Sequence, residues 1–168
     1  APVEFLEAIP MFLAFAFYKK FKVYQMDVKS AFLYGRVKEE VYVEKPLGFE
    51  DPAHRDRVYI LNKALYGLHQ APRAWYETLS QYLLSQGFNR GLIDCTLFTK
   101  EKDGDLLLVQ VYVDDIIFSS NNDLLCKEFE QIMQDKFEMS AMGEMQFFLG
   151  LQVQQTESGI FIHQTKYV

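Results

Sequence analysis

The sequence predicts an α+β fold in which an antiparallel sheet packs on helices. Three observations predict it. Leu106–Val113 and Ile116–Ser119 are dense apolar and β-branched runs that meet at Asp114-Asp115, the pattern of two buried strands joined by a tight turn. Apolar residues recur at helical spacing along 5–20, 72–86 and 123–137. Finally, 49% of the 168 residues are hydrophobic and 15% aromatic, which is enough for a packed core and excludes a disordered chain. The chain shows no internal repeat or linker, so one domain over residues 1–168 is expected.

The first helix is expected over Phe5 to Lys20, with its stripe at Phe5, Ile9, Phe12, Leu13 and Ala16. Pro10 spoils the interior unless the helix begins there, where a missing N–H costs nothing. The apolar run Ile9–Tyr18 is too short to span a bilayer, so no membrane role is expected. Lys22–Val28 then alternates as a strand that brings Asp27 to its end, and Ser30–Gly35 turns away from it. Val41–Val43 and Val58–Leu61 are short strands around a polar loop. Pro72 opens the second helix, with Trp75, Leu79, Tyr82 and Leu83 on one face and Gly87 past its end. Thr96–Thr99 should pair with Leu106–Val113, which with Ile116–Ser119 makes a three-stranded antiparallel sheet. Asn121-Asn-Asp123 caps the third helix, whose face is Leu125, Phe129, Ile132 and Met133. Phe147–Val153 and Ile160–Ile162 read as a final hairpin around Ser158-Gly159.

Two readings of Asp114-Asp115 stand side by side. Adjacent carboxylates between buried strands repel and resist desolvation, so a cation there is one explanation. The other is a type I′ turn with solvated Asp side chains, although Ile116 suits such a turn poorly. Asp27, at another strand end, either caps the turn after it or completes a three-carboxylate set. Cys95 and Cys126 form no Cys-x-x-Cys, so neither a disulfide framework nor a zinc site is expected. The net charge of −6 argues against a nucleic-acid partner until its distribution is considered. Residues 1–90 hold 12 Lys/Arg against 10 Asp/Glu, and residues 91–168 hold 5 against 13. Attraction to phosphates should therefore come from the first half.

The motifs Gln25-Met-Asp-Val-Lys-Ser-Ala-Phe-Leu-Tyr-Gly35, Glu40-Val-Tyr-Val-Glu44, Lys63-Ala-Leu-Tyr-Gly-Leu-His-Gln-Ala-Pro-Arg-Ala-Trp-Tyr76, Tyr112-Val-Asp-Asp115 and Phe147-Phe-Leu-Gly150 occur in that order. Together they resemble the reverse transcriptase of Ty1/copia-type LTR retrotransposons, especially plant elements, over nearly the whole chain. The resemblance implies a right-hand polymerase palm with partial fingers. It implies an RNA-directed DNA polymerase that adds dNTPs to a DNA or tRNA primer on an RNA or DNA template. Asp27 and Asp114, with the Val28 carbonyl, would bind two Mg²⁺ ions (Mn²⁺ being possible), and Asp115 would support them. Phe32 would exclude a ribose 2′-OH by steric collision. Tyr66, Gly67, Gln70 and Tyr112 would meet nucleotide or template, and Leu149-Gly150 would grip the primer end. Trp75 reads as core, and Arg73 as either a phosphate partner or a solvated residue.

The resemblance also implies an excerpt of a polyprotein that carries integrase and RNase H, working in the cytoplasm within virus-like particles, or in the nucleus. In one place the chain departs from the pattern. Phe5 and Pro10 stand where relatives tend to carry basic residues that hold the triphosphate. That departure leaves an alternative open, a catalytically dead remnant that at most binds nucleic acid. A two-metal nuclease is disfavoured, because no His or further acidic cluster suits activation of water.

Overall fold

The structure, a computed structural model, describes residues 7–54 and 56–164. It is a mixed fold of helices and antiparallel sheet. Helix α1 (Ala8–Tyr18) leads into strand β1 (Lys22–Val28) and a 3-10 turn (Ala31–Tyr34). Short strands β2 (Tyr42–Val43) and β3 (Tyr59–Ile60) pair with each other ahead of α2 (Ala71–Ser85). Then come β4 (Asn89–Arg90), β5 (Leu97–Lys102), β6 (Asp105–Tyr112), β7 (Asp115–Ser120), α3 (Asp123–Lys136) and β8 (Met139–Glu144). Strands β9 (Phe147–Phe148), β10 (Leu151–Thr156) and β11 (Gly159–His163) end the described chain.

The expected three-stranded sheet is the centre of a larger one. Six strands run in the order β4-β5-β6-β7-β1-β8. Strand β1 fills an inner place between β7 and β8. Its alternation divides it between two cores. Met26 and Val28 join the larger one, with Val111, Ile116 and Phe118 under Trp75, Leu79 and Leu83 of α2 and Phe129 and Met133 of α3. Val23 faces the other way, with Leu108 and Ile117, against Ile9, Phe12, Leu13 and Ala16 of α1 and Phe148 and Val153 of the final strands.

Pro10 is the third residue of α1, within the first turn, where backbone N–H groups lack intrahelical acceptors in any case. The expected stripe is buried at Ile9, Phe12, Leu13 and Ala16. Phe5 lies outside the described residues. Asn122 caps α3 by accepting the Leu124 N–H at 3.0 Å.

Two expectations need correction, and one strand had no counterpart among them. The β6–β7 turn is centred on Val113-Asp114, one residue earlier than expected, because Tyr112 pairs with Asp115. Only Val113 of the two has a positive φ, +52°, so the turn is not type I′. The run Phe147–Val153 is not one strand. It breaks at Leu149-Gly150, whose φ values of +49° and +79° reverse the chain, and three strands form in the order β11-β10-β9. Strand β8, unforeseen in Met139–Glu144, pairs with β1 through an irregularity between Gln25 and Met26.

Candidate active site

One row of side chains crosses the inner strands of the large sheet at the end where β6 turns into β7. Asp27 of β1 pairs with Asp115 of β7, and Asp115 pairs with Tyr112 of β6. Cross-strand partners share a face, and here it is the face of Val23 and Ile117, away from α2 and α3. The row behind it is Gln25, Ile117 and Gln110. This face thus changes character along its length, from apolar beneath α1 to carboxylate at the β6–β7 turn.

Asp114 joins the row through the backbone. Its carbonyl accepts the Val28 N–H at 2.9 Å, which fastens the turn to the end of β1. Asp27, Asp114 and Asp115 are all half-buried. Burial, and after it the charge of Asp114, raises the Asp27 carboxyl above its ordinary range, while Lys29 pulls it back. Burial raises Asp115 as well. The hydrogen bond from Gln25 opposes that rise, and the charges of Asp114 and Asp27 add to it. Gln25 Nε2 donates to Asp115 Oδ1 at 3.2 Å, so Asp115 already has a protein partner.

Among the described residues, no group of three or more His, Cys, Asp or Glu side chains is gathered closely enough to hold a metal ion by itself. The donor chemistry nevertheless fits Mg²⁺. The ion prefers hard oxygen ligands and is ordinarily held by one or two carboxylates plus substrate phosphates, not by an all-protein cage. Mutual repulsion among the three carboxylates is what a cation would relieve.

The remaining expected residues fall into two places. Phe32, half-buried in the 3-10 turn, meets Tyr66 with ring centroids 4.6 Å apart. Gly67 follows with φ +93°, and Gln70, just ahead of α2, donates weakly to Glu39 at 3.5 Å. Arg36, Lys38 and Arg73 line one groove with Glu39, Gln70 and Glu77, and Lys38 pairs with Glu77. This gives the basic first half of the chain a definite surface. Leu149-Gly150 forms the β9–β10 turn. The preceding Phe148 packs edge-on against Tyr112 at 6.1 Å, which ties that hairpin to the carboxylate row.

Sequence reasoning missed two residues around the carboxylates. Gln25 holds Asp115, and its signal was its place two residues before Asp27 on the same strand face. Trp75 is buried in the core as expected, but its indole also reaches the β6–β7 turn, donating from Nε1 to the Val113 carbonyl at 2.6 Å.

The comparisons with known proteins agree on one family. A family model described as reverse transcriptase (RNA-dependent DNA polymerase) matches residues 1–168. The chain is 35% identical over 167 residues, 99% of its length, to the retrovirus-related Pol polyprotein from transposon RE2 of Arabidopsis thaliana. It is 33% identical over 171 residues to that from transposon TNT 1-94 of Nicotiana tabacum. Over 134 residues it is 31% identical to a transposon Ty5-1 protein of Saccharomyces cerevisiae. The chain spans 12% and 13% of the two plant polyproteins and 44% of the yeast protein. No helix among the described residues is long and apolar enough to cross a membrane.

Proposed function

The chain belongs to the reverse transcriptase (RNA-dependent DNA polymerase) family, and from that premise we propose that it is the palm and part of the fingers of a polymerase that transfers dNTPs onto a primer 3′-OH. The observation that carries this reading is the pairing of Asp27 with Asp115 beside a turn whose Asp114 is fastened to Val28. Two strands distant in sequence thereby present carboxylates at one end of one sheet face.

Asp27, Asp114 and the Val28 carbonyl would hold Mg²⁺, or Mn²⁺ in its place. Bound there, two such ions would lower the pKa of the 3′-OH and offset charge on the triphosphate and departing pyrophosphate. The chain's own part is positioning and charge. Asp115, engaged by Gln25, orients the row rather than completing a ligand set. Phe32 closes the space a ribose 2′-OH would need. Tyr66, Gly67 and Gln70 meet nucleotide or template, with Arg36, Lys38 and Arg73 beside them for backbone phosphates. Tyr112, in the carboxylate row, also meets nucleotide or template, and Leu149-Gly150 steadies the primer end. The template is RNA or DNA, the primer DNA or tRNA, and the chain acts as one domain of a polyprotein with integrase and RNase H, in cytoplasmic virus-like particles.

The second reading, a dead remnant that still binds nucleic acid, draws on Phe5 and Pro10, which stand where basic residues would grip the triphosphate. Primer extension on a defined RNA template with Mg²⁺, by a polyprotein carrying this chain, separates the two. We expect extension with a high KM for dNTP, and restoration of a low KM by Phe5→Arg with Pro10→Arg. Template binding without extension, in the natural and the restored sequence alike, would establish the remnant.

A further inference from the structure

Trp75 is 1% exposed, and buried indoles generally find an acceptor, so a hydrogen bond from it is unsurprising in itself. Its acceptor is unusual. It is the carbonyl of Val113, a β-branched residue at φ +52° in the first place of a two-residue turn. Such a residue resists that conformation, which persists only where its surroundings over-determine it. The next residue is Asp114, and the Asp114 carbonyl in turn accepts the Val28 N–H.

We infer that Trp75 is a positioning residue for Asp114: its indole N–H holds the Val113 carbonyl and thereby fixes the strained turn that carries the carboxylate. The inference rests on the polymerase reading for its chemistry and on the turn geometry for its structure.

The indole is itself held firmly. The Phe137 ring stands edge-on to it at 5.1 Å, and Tyr34 lies 6.0 Å away on another side. Its helix cannot retreat from the 3-10 turn without opening a gap, because Gly35 packs so closely that a Cβ there would fall 2.8 Å from the Trp75 backbone nitrogen. A chain of contacts thus runs from α2 through the indole to Val113, Asp114 and Val28. An ordinary core tryptophan would fill the same volume without constraining a catalytic turn.

The test uses Trp75→Phe, which keeps an aromatic ring and removes the donor. Amide hydrogen exchange at Val113, Asp114 and Asp115 should quicken about tenfold, while Val109 and Phe118 in the same strands keep their rates. In primer extension kcat should fall by about tenfold with the KM for dNTP unchanged. Adding Val113→Gly to Trp75→Phe should restore much of the lost protection, since glycine takes positive φ without strain. Unchanged exchange at the turn, or an equal rise throughout the sheet, overturns the inference and leaves Trp75 as core. Should the variant fail to fold, the unmodified chain still decides: a Trp75 indole proton that exchanges as fast as an exposed one overturns it. Absence of extension by the unmodified chain counts instead against the polymerase reading, and the exchange pattern then judges the turn alone.

Discussion

The two faces of the six-stranded sheet are made from the same strands and serve opposite ends. On one face Met26, Val28, Val111, Ile116 and Phe118 are buried under α2 and α3. On the other, one residue along each strand, Gln25, Asp27, Tyr112 and Asp115 line the turn end. The first face gains its stability by excluding water. The second does the same beneath α1, but at its turn end it gives some stability up, because burial and mutual repulsion raise the carboxyls of Asp27 and Asp115. A sheet lets both coexist because its side-chain period is two, and a slip of one residue in β1 would put Asp27 in the dry core and Met26 in the carboxylate row.

The largest expected effect strikes the charged face. Asp27→Asn should abolish primer extension, by roughly a thousandfold or more, since charge stabilisation of the transition state is lost. The same change should raise thermal stability in metal-free buffer at neutral pH. Because the folded carboxyl titrates above its ordinary 3.8, its contribution is most favourable below that value and fades as pH rises through the raised one. The gain in melting temperature should therefore be clear at pH 7 and vanish below about pH 3.8. A variant equally inactive but less stable at pH 7 would break the contrast between the faces.

The dry face should respond in the opposite sense. Phe129 is 1% exposed and lies 4.9 Å from Phe118 and 5.7 Å from Phe88. Phe129→Ala should cost about 3–5 kcal/mol of unfolding free energy, read from denaturant titration. Whatever folded fraction remains should keep its KM for dNTP, as no residue near Phe129 belongs to the carboxylate row.

Much of this contrast was legible in the sequence, and the omissions have physical causes. The strands of the β6–β7 hairpin and the helix stripes follow from local periodicity, which the folded chain has little reason to override. The turn was misplaced by one residue because Val113 is an improbable turn residue, and the bond from Trp75 that holds it there is tertiary, invisible in the local sequence. Strand β8 was invisible because Met139-Ser-Ala-Met-Gly-Glu144 has no alternation of its own. It is a strand because β1 offers it a free edge. The same holds for Leu149-Gly150, where a leucine at positive φ broke a run that composition favoured as continuous. At the site the carboxylates were legible as types at strand ends. Their support by Gln25 and Trp75 was not, since it depends on register.

Phe32 sits on the border and can be assigned by experiment. It packs against the larger core and also meets the Tyr66 ring at a tilt. Phe32→Val should raise ribonucleotide over deoxynucleotide incorporation by about tenfold if the ring closes the space for a 2′-OH. Unchanged selectivity together with lowered stability would return Phe32 to the dry side.

The smallest effect tests how dry that side is, through the two free cysteines. Cys126 is 3% exposed in α3, and burial, then the charges of Asp123 and Glu130, pushes its thiol up to about 12. Cys95 is only half-buried, in the loop ahead of β5. An alkylating reagent needs a thiolate and a path to it. At pH 8 the folded chain should therefore lose Cys95 to the reagent and keep Cys126, which becomes reactive only on unfolding. The same shift makes Cys126 a source of alkaline instability. Its thiol titrates near 9.0 ordinarily and near 12 when folded, so above pH 9 the unfolded chain sheds the proton while the folded chain retains it. Stability contributed by the neutral thiol is intact below pH 9.0 and drains away as pH rises toward 12. Cys126→Ala should flatten the fall in melting temperature over that window without removing it, because Tyr24, raised to about 12 by burial and by Asp123, titrates there too. Equal modification of both cysteines in the folded chain would mean that water reaches α3 from below, and that the two faces differ less than their residues indicate.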